Sequence, residues 1–211
     1  MNNILKTLRI VESQIGDFVV PSVTKVSENN DPYQVLISCI LSLRTRDKTT
    51  IEASRRLFKV AKTPREMVKL SLSKIQKLIY PVGFYRTKAK TILGVNQRIL
   101  DDFGGRVPDN IEDLLSLKGV GRKTANLVLG LGFGVPAICV DTHVNRIPNR
   151  IGWIKTKTPL KTEEALGNIV PRNYWIKLNT VLVTFGQNIC LPVHPRCNIC
   201  AIEKFCKKIG V

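Results

Sequence analysis

The sequence predicts an all-α protein, and three observations predict it. Apolar residues recur at intervals of three and four, no stretch sustains the two-residue alternation of a strand, and short linkers with Gly or Pro separate pieces of helical length. The first stripe runs through Ile4, Leu8, Val11 and Ile15. A second uses Val35, Ile37, Ile40 and Leu41, and a third Ile51, Leu57 and Val60; each reads as a helix with one buried face. Start signals precede them. Asp31-Pro32 stands before the second helix, Asp47 before the third, Thr63-Pro64 before a short fourth, and Ser71 or Ser73 before a fifth. A short side-chain oxygen takes N–H groups that a first turn leaves orphaned, and proline fits there because its missing N–H is not needed. Pro81-Val82-Gly83 and the segment from Gly104 to Asp109 break the chain between later helices. Low-complexity segments and solenoid periods are absent from the sequence.

Charge narrows the partner. The chain has 211 residues, 44% of them hydrophobic, enough for one good core or two small ones. Lys and Arg number 33 against 16 Asp and Glu, a formal charge of +17, which calls for a polyanionic partner. The plainer reading is a basic habit shared by all proteins of its source. A membrane is a poor partner, because no apolar run approaches the roughly 20 residues of a spanning helix. The start Met1-Asn2-Asn3-Ile4 also lacks the apolar stretch of a signal peptide, so the expected location is cytoplasmic, nucleoid-associated in a prokaryote.

Four cysteines, Cys190, Cys197, Cys200 and Cys206, fall in the pattern C-x6-C-x2-C-x5-C. Thiols this close in sequence share disulfides, a zinc ion or an iron–sulfur cluster. Nothing suggests export, which weighs against disulfides. Structural zinc sites favour two facing tight pairs, whereas one tight pair flanked by single cysteines suits a four-thiolate cluster better; zinc stays open on spacing alone. Cys39 and Cys139 lie in apolar runs and read as core residues.

A second informative segment runs from Leu114 to Ala125. A short helix capped near Asp109 or Asn110 meets a turn with Gly119 and Gly121, then a second helix through Val128. Glycines let backbone approach a phosphate, and the N–H groups of the following helix start point at it; the bland alternative is a tight turn. Lys123 sits near the start of that helix beside Arg122. A buried ammonium there, near other cations, is pushed toward the neutral, nucleophilic amine, whereas an ordinary lysine would bind phosphate. Downstream, the apolar run Ile138-Cys139-Val140 ends in Asp141, which can cap the helix begun by Thr142-His143-Val144. Capping and catalysis are compatible roles for one carboxylate.

Together these residues resemble a known family. Leu117 through Asn126, Val140-Asp141-Thr142-His143-Val144-Asn145-Arg146 and the four cysteines are similar to the endonuclease III branch of the helix-hairpin-helix DNA glycosylases, as are Leu36 to Ser42 and Gly83 to Ala89. The resemblance implies a bifunctional enzyme that removes oxidised or ring-saturated pyrimidines in base excision repair and then cleaves the strand by β-elimination. Its partner would be double-stranded DNA with damaged pyrimidines or abasic sites, met by a monomer. By position Lys123 matches the nucleophile and Asp141 the essential aspartate, and Cys190, Cys197, Cys200 and Cys206 would ligate a [4Fe-4S] cluster.

The same resemblance implies two helical domains with a DNA-binding groove between them. Residues 24–135 would form a six-helix domain with the helix-hairpin-helix; residues 1–23 and 136–211 would form a helical iron–sulfur cluster domain. Candidate DNA contacts are Lys118, Gly119, Val120, Gly121 and Arg122 of the hairpin, His143, and His194 and Arg196 in the loop between Cys190 and Cys197. Arg44 and Phe84 are the candidate wedge filling the stack vacated by a flipped base, and Asp47 a candidate wall of the substrate pocket. Arg44 stands where many members have glutamine, which bears on opposite-base preference; Lys118 replaces a common proline, exchanging turn rigidity for a phosphate-seeking charge. Two rival readings are a mismatch glycosylase acting on thymine or uracil opposite guanine and a non-catalytic DNA-binding module. Retention of both Lys123 and Asp141 argues against the second.

Overall fold

The computed structural model describes residues 2–26 and 31–211, and within them every regular element is helical. Met1 of the expected N-terminal segment lies outside the described residues. The chain divides into two compact units, one of Met1–Pro21 with Pro136–Val211 and one of Ser22–Val135.

The continuous unit is built around α3 (Pro32–Ser42), which packs against α2 (Ser22–Val26), α4 (Asp47–Val60), α7 (Tyr85–Phe103) and α9 (Arg122–Leu127). Its start follows the sequence signal: the Asp31 carboxylate accepts the N–H groups of Tyr33 and Gln34, with Pro32 in the first turn. Its burial does not. Every residue from Val35 to Leu41 is buried, so α3 is a central helix rather than one with a single buried face. Neighbours on all sides explain why its apolar residues run continuously instead of forming a stripe.

Other caps follow chemistry local to each helix. Thr63 and Glu66 form a reciprocal capping box on α5 (Pro64–Met67), Ser71 caps α6 (Leu72–Ile79), and Asn110 caps α8 (Ile111–Ser116). Asp47 opens α4 as expected but does not cap it. It occupies the first turn of α4, after an N-cap residue, Arg46, that makes no side-chain cap bond. The Asp47 carboxylate instead accepts from the N–H and hydroxyl of Ser22 at the start of α2, at 3.3 and 2.5 Å. After α9 the helix widens into a π-helical segment, Val128–Gly132. A Cβ on Gly132 would fall 2.7 Å from Pro32 Cα, so glycine permits this segment's approach to the start of α3.

The discontinuous unit is formed by α1 (Asn2–Ile15), α10 (Thr142–Ile151), α11 (Pro159–Ile169) and α12 (Trp175–Asn188). Leu8 and Val11 of α1 share a core with Val144 and Ile147 of α10, Leu166 of α11 and Leu182 and Phe185 of α12. Because α1 packs on α12, the two ends of the chain are held in one unit by side chains far apart in sequence. After α12 the chain closes in short 3₁₀ turns around the four cysteines.

Candidate active site

In the Ser22–Val135 unit, α8 and α9 are joined by Leu117 to Gly121. Gly119 has φ +90°, a left-handed value that favours glycine, and a Cβ there would lie 2.7 Å from Thr91 Cγ2 on α7. The turn is therefore seated directly on α7. Val120 anchors it: its side chain is 6% exposed and its N–H donates to Leu117 O at 3.0 Å. Both its side chain and its N–H are thereby committed to the protein. Lys118, Gly119, Gly121 and Arg122 are exposed. Gly121 is the N-cap residue of α9 and supplies no side-chain cap.

Lys123 is the second residue of α9 and is exposed, which corrects the burial expected of it. Position at a helix start, not desolvation, marks this lysine in the free protein. Its charge acts on Cys39, a fully buried residue of α3. Burial pushes that thiol up to about 12, against a smaller opposing pull from Lys123. Cys39 is thus an inert, protonated neighbour of the candidate nucleophile, a proximity no sequence spacing announces.

The loops carrying the candidate wedge meet in this same unit. Arg44 and Phe84 are non-glycine residues with left-handed φ, 52° and 57°, and the Arg44 guanidinium lies 5.7 Å from the Phe84 ring centroid. Phe84 is 63% exposed although it directly precedes α7.

In the other unit, Asp141 is the N-cap of α10. Its Oδ1 accepts the N–H groups of His143 and Val144, both at 2.9 Å. The His143 Nδ1 lies 3.1 Å from Arg146 Nη2, and a Cβ on Gly186 would fall 2.2 Å from that nitrogen. Glycine at 186 is what makes room for the imidazole against α12. His194 and Arg196 are exposed in the loop between Cys190 and Cys197, where His194 has φ 51°.

Cys190, Cys197, Cys200 and Cys206 line one recess with Arg150, Phe185, Ile189 and Ile202, and none of the four is paired in a disulfide. Arg150 Nη1 points at Cys190 Sγ at 3.4 Å, and the Lys208 N–H points at Cys206 Sγ at 3.3 Å. No three His, Cys, Asp or Glu side chains among the described residues are grouped to hold a single metal ion. The four sulfurs share this recess, with donors aimed at two of them. Cys39 and Cys139 are buried core residues and do not line this recess.

No helix among the described residues is long and apolar enough to cross a membrane. The HhH-GPD superfamily base excision DNA repair protein family matches residues 37–172. Endonuclease III of Thermotoga maritima is 48% identical over 180 residues, covering 85% of this chain and 84% of its own. A trapped endonuclease III–DNA covalent intermediate superposes with a TM-score of 0.85 at 31% identity, covering 98% of this chain and 95% of that one. A thermostable thymine-DNA glycosylase superposes with a TM-score of 0.84 at 28% identity, covering 95% and 94%. Family match, close relatives and superposition over nearly the full length agree, and this chain belongs to the endonuclease III branch of the HhH-GPD superfamily of base excision DNA repair proteins.

Proposed function

We propose that this DNA glycosylase/AP lyase takes oxidised or ring-saturated pyrimidines as its substrates and uses Lys123 as its nucleophile. The observation that carries the reading is an exposed lysine at the second position of α9, directly after a glycine turn whose Gly121 stands at the N-cap of that helix. Backbone N–H groups at such a start attract phosphate, which would bring the sugar of a neighbouring nucleotide to the amine. A damaged base stacks poorly, so extruding it costs least, a few kcal/mol on the general scale of base flipping.

The neutral amine of Lys123 would attack the sugar C1′, breaking the glycosidic bond as the base leaves with a proton. Opening of the sugar ring would then break the C1′–O4′ bond, the remaining proton on nitrogen passing to O4′, to give an imine; this acidifies the C2′ proton, whose removal expels the 3′ phosphate by β-elimination. Asp141 would stabilise positive charge developing on the sugar or accept the proton released by the amine. The superposed endonuclease III was trapped as a covalent DNA intermediate, which supports an enzyme-borne nucleophile in this fold. A monofunctional enzyme would activate water instead.

Within the same reading, Cys190, Cys197, Cys200 and Cys206 would hold a [4Fe-4S] cluster. When bound it would supply a rigid centre for the loop that bears His194 and Arg196. The Arg150 guanidinium and the Lys208 N–H would donate to the sulfurs of Cys190 and Cys206.

The similarity to a thymine-DNA glycosylase keeps one second reading in view, excision of thymine or uracil opposite guanine. Borohydride trapping across duplexes bearing thymine glycol, dihydrouracil, an abasic site, T opposite G and U opposite G separates them. Covalent capture on the saturated pyrimidines with none on the mismatches is expected. Capture, or base release read by alkali cleavage, confined to the mismatches would overturn the substrate assignment.

A further inference from the structure

Lys88 is a buried lysine that none of the chemistry above uses. It lies on α7, is 6% exposed, and its ammonium donates to Leu41 O at 2.7 Å, Leu43 O at 2.5 Å and Thr45 Oγ1 at 3.0 Å. All three acceptors are uncharged. Leu41 and Leu43 mark the end of α3, where carbonyls lose their helical partners and carry the negative end of the helix dipole. Donors from Lys88 answer those carbonyls and fix the chain that leaves the helix.

That chain is the Arg44 loop. The Thr45 hydroxyl accepts from Lys88 and from the Gly83 N–H at 3.2 Å, and donates to Leu43 O at 3.3 Å, so one hydroxyl joins two loops. A Cβ on Gly83 would lie 2.7 Å from Arg44 O, which shows how closely the two backbones approach. Immediately beside these ties stand Arg44 and Phe84, both with positive φ and stacked on one another. Left-handed backbone at non-glycine residues persists only where surrounding structure over-determines it. Lys88 and Thr45 supply that determination.

We infer that Lys88 is a positioning residue for the DNA wedge, holding the Arg44 and Phe84 loops as one preformed unit that enters the duplex when a damaged base is flipped out. The inference rests on the proposed excision reaction and adds a residue to it. Burial among neutral acceptors holds the lysine down to about 8, consistent with a group kept in place by geometry rather than by an opposing charge. Preformation matters because a wedge ordered only on binding would have to meet its ordering entropy at the flipping step.

The test compares base release from a thymine glycol duplex with cleavage of a preformed abasic site, in wild type and in Lys88→Met. Methionine keeps an unbranched chain one atom shorter and removes all three hydrogen bonds. A loss of tenfold or more in base release, with threefold or less in abasic-site cleavage, is expected. Fluorescence of 2-aminopurine opposite a tetrahydrofuran site, read at saturating protein, should rise less than half as far as with wild type, because the wedge unstacks its neighbour. Equal losses on both substrates, or a full fluorescence rise, would overturn the inference. Should Lys88→Met fold poorly, Thr45→Val removes the shared hydroxyl while leaving the lysine, and must show the same imbalance for the idea to stand. Wild-type protein inert on every lesion would instead bring down the proposed function; wild-type excision matched by Lys88→Met would bring down only the role of Lys88.

Discussion

Asp141 holds the N–H of Val144 through the same oxygen, Oδ1, that it uses for His143. Capping therefore occupies one oxygen of the carboxylate, and charge and cap become separable by mutation. Asp141→Asn keeps a capping oxygen and removes the charge, so turnover should fall at least a hundredfold with an unchanged urea midpoint. Asp141→Ala should lose turnover and also about 1 kcal/mol of stability. Full activity in Asp141→Asn would reduce the residue to a cap.

Lys123→Gln keeps the exposed position at the start of α9 and removes the only group there able to form an imine. Borohydride trapping and strand cleavage should disappear while binding to an abasic-site duplex persists within a few-fold. Continued trapping would point to another amine.

The four cysteines predict a colour. Anaerobically purified protein should be brown, with iron and sulfide near four per chain, and Cys197→Ala should bleach it and loosen the segment after α12 to proteolysis. One zinc per chain without iron or sulfide would replace the cluster with a mononuclear site.

At the hairpin, Lys118→Ala should weaken binding to all DNA sequences alike and reduce the salt slope by about 0.9. Gly119→Ala should be worse than a surface change. It places a Cβ 2.7 Å from Thr91 Cγ2 at φ +90°, and about 1–3 kcal/mol of destabilisation in a urea melt is expected. A neutral result would mean that the turn relaxes away from α7.

Stability should depend on pH through two buried groups of opposite sign. Lys88 is lowered to about 8 from 10.5, so between those values the unfolded chain binds more protons there. Its contribution therefore grows as pH rises through that window and is lost as pH falls through 8. Cys39 is raised to about 12 from 9, so its contribution is complete below pH 9 and is lost as pH rises through 12. Between about pH 7.5 and 9 the Lys88 effect acts alone of the two, and unfolding free energy should rise by at most about 1.4 kcal/mol per pH unit. Urea melts of Lys88→Met should lack that rise, and an identical slope in both proteins would assign it elsewhere.

Sequence alone determined what depends on neighbours a few residues apart. The caps at Asp31, Thr63, Ser71, Asn110 and Asp141 were legible because each bonds an N–H two or three positions away. The glycine turn before Lys123 and the cysteine spacing were legible for the same reason, and they carried the family resemblance. Tertiary structure alone decided matters that span long separations. It surrounded α3 on all sides, exposed Lys123 beside a buried thiol, and aimed the carboxylate of Asp47, the first residue of α4, at Ser22, 25 residues away. Lys88 is the clearest case: its acceptors lie 43 to 47 residues upstream, so nothing in its local pattern distinguishes it from a solvated helix lysine. A charged side chain becomes structural only when the packed chain removes water from it and supplies acceptors in return, and that exchange is a property of the assembled core.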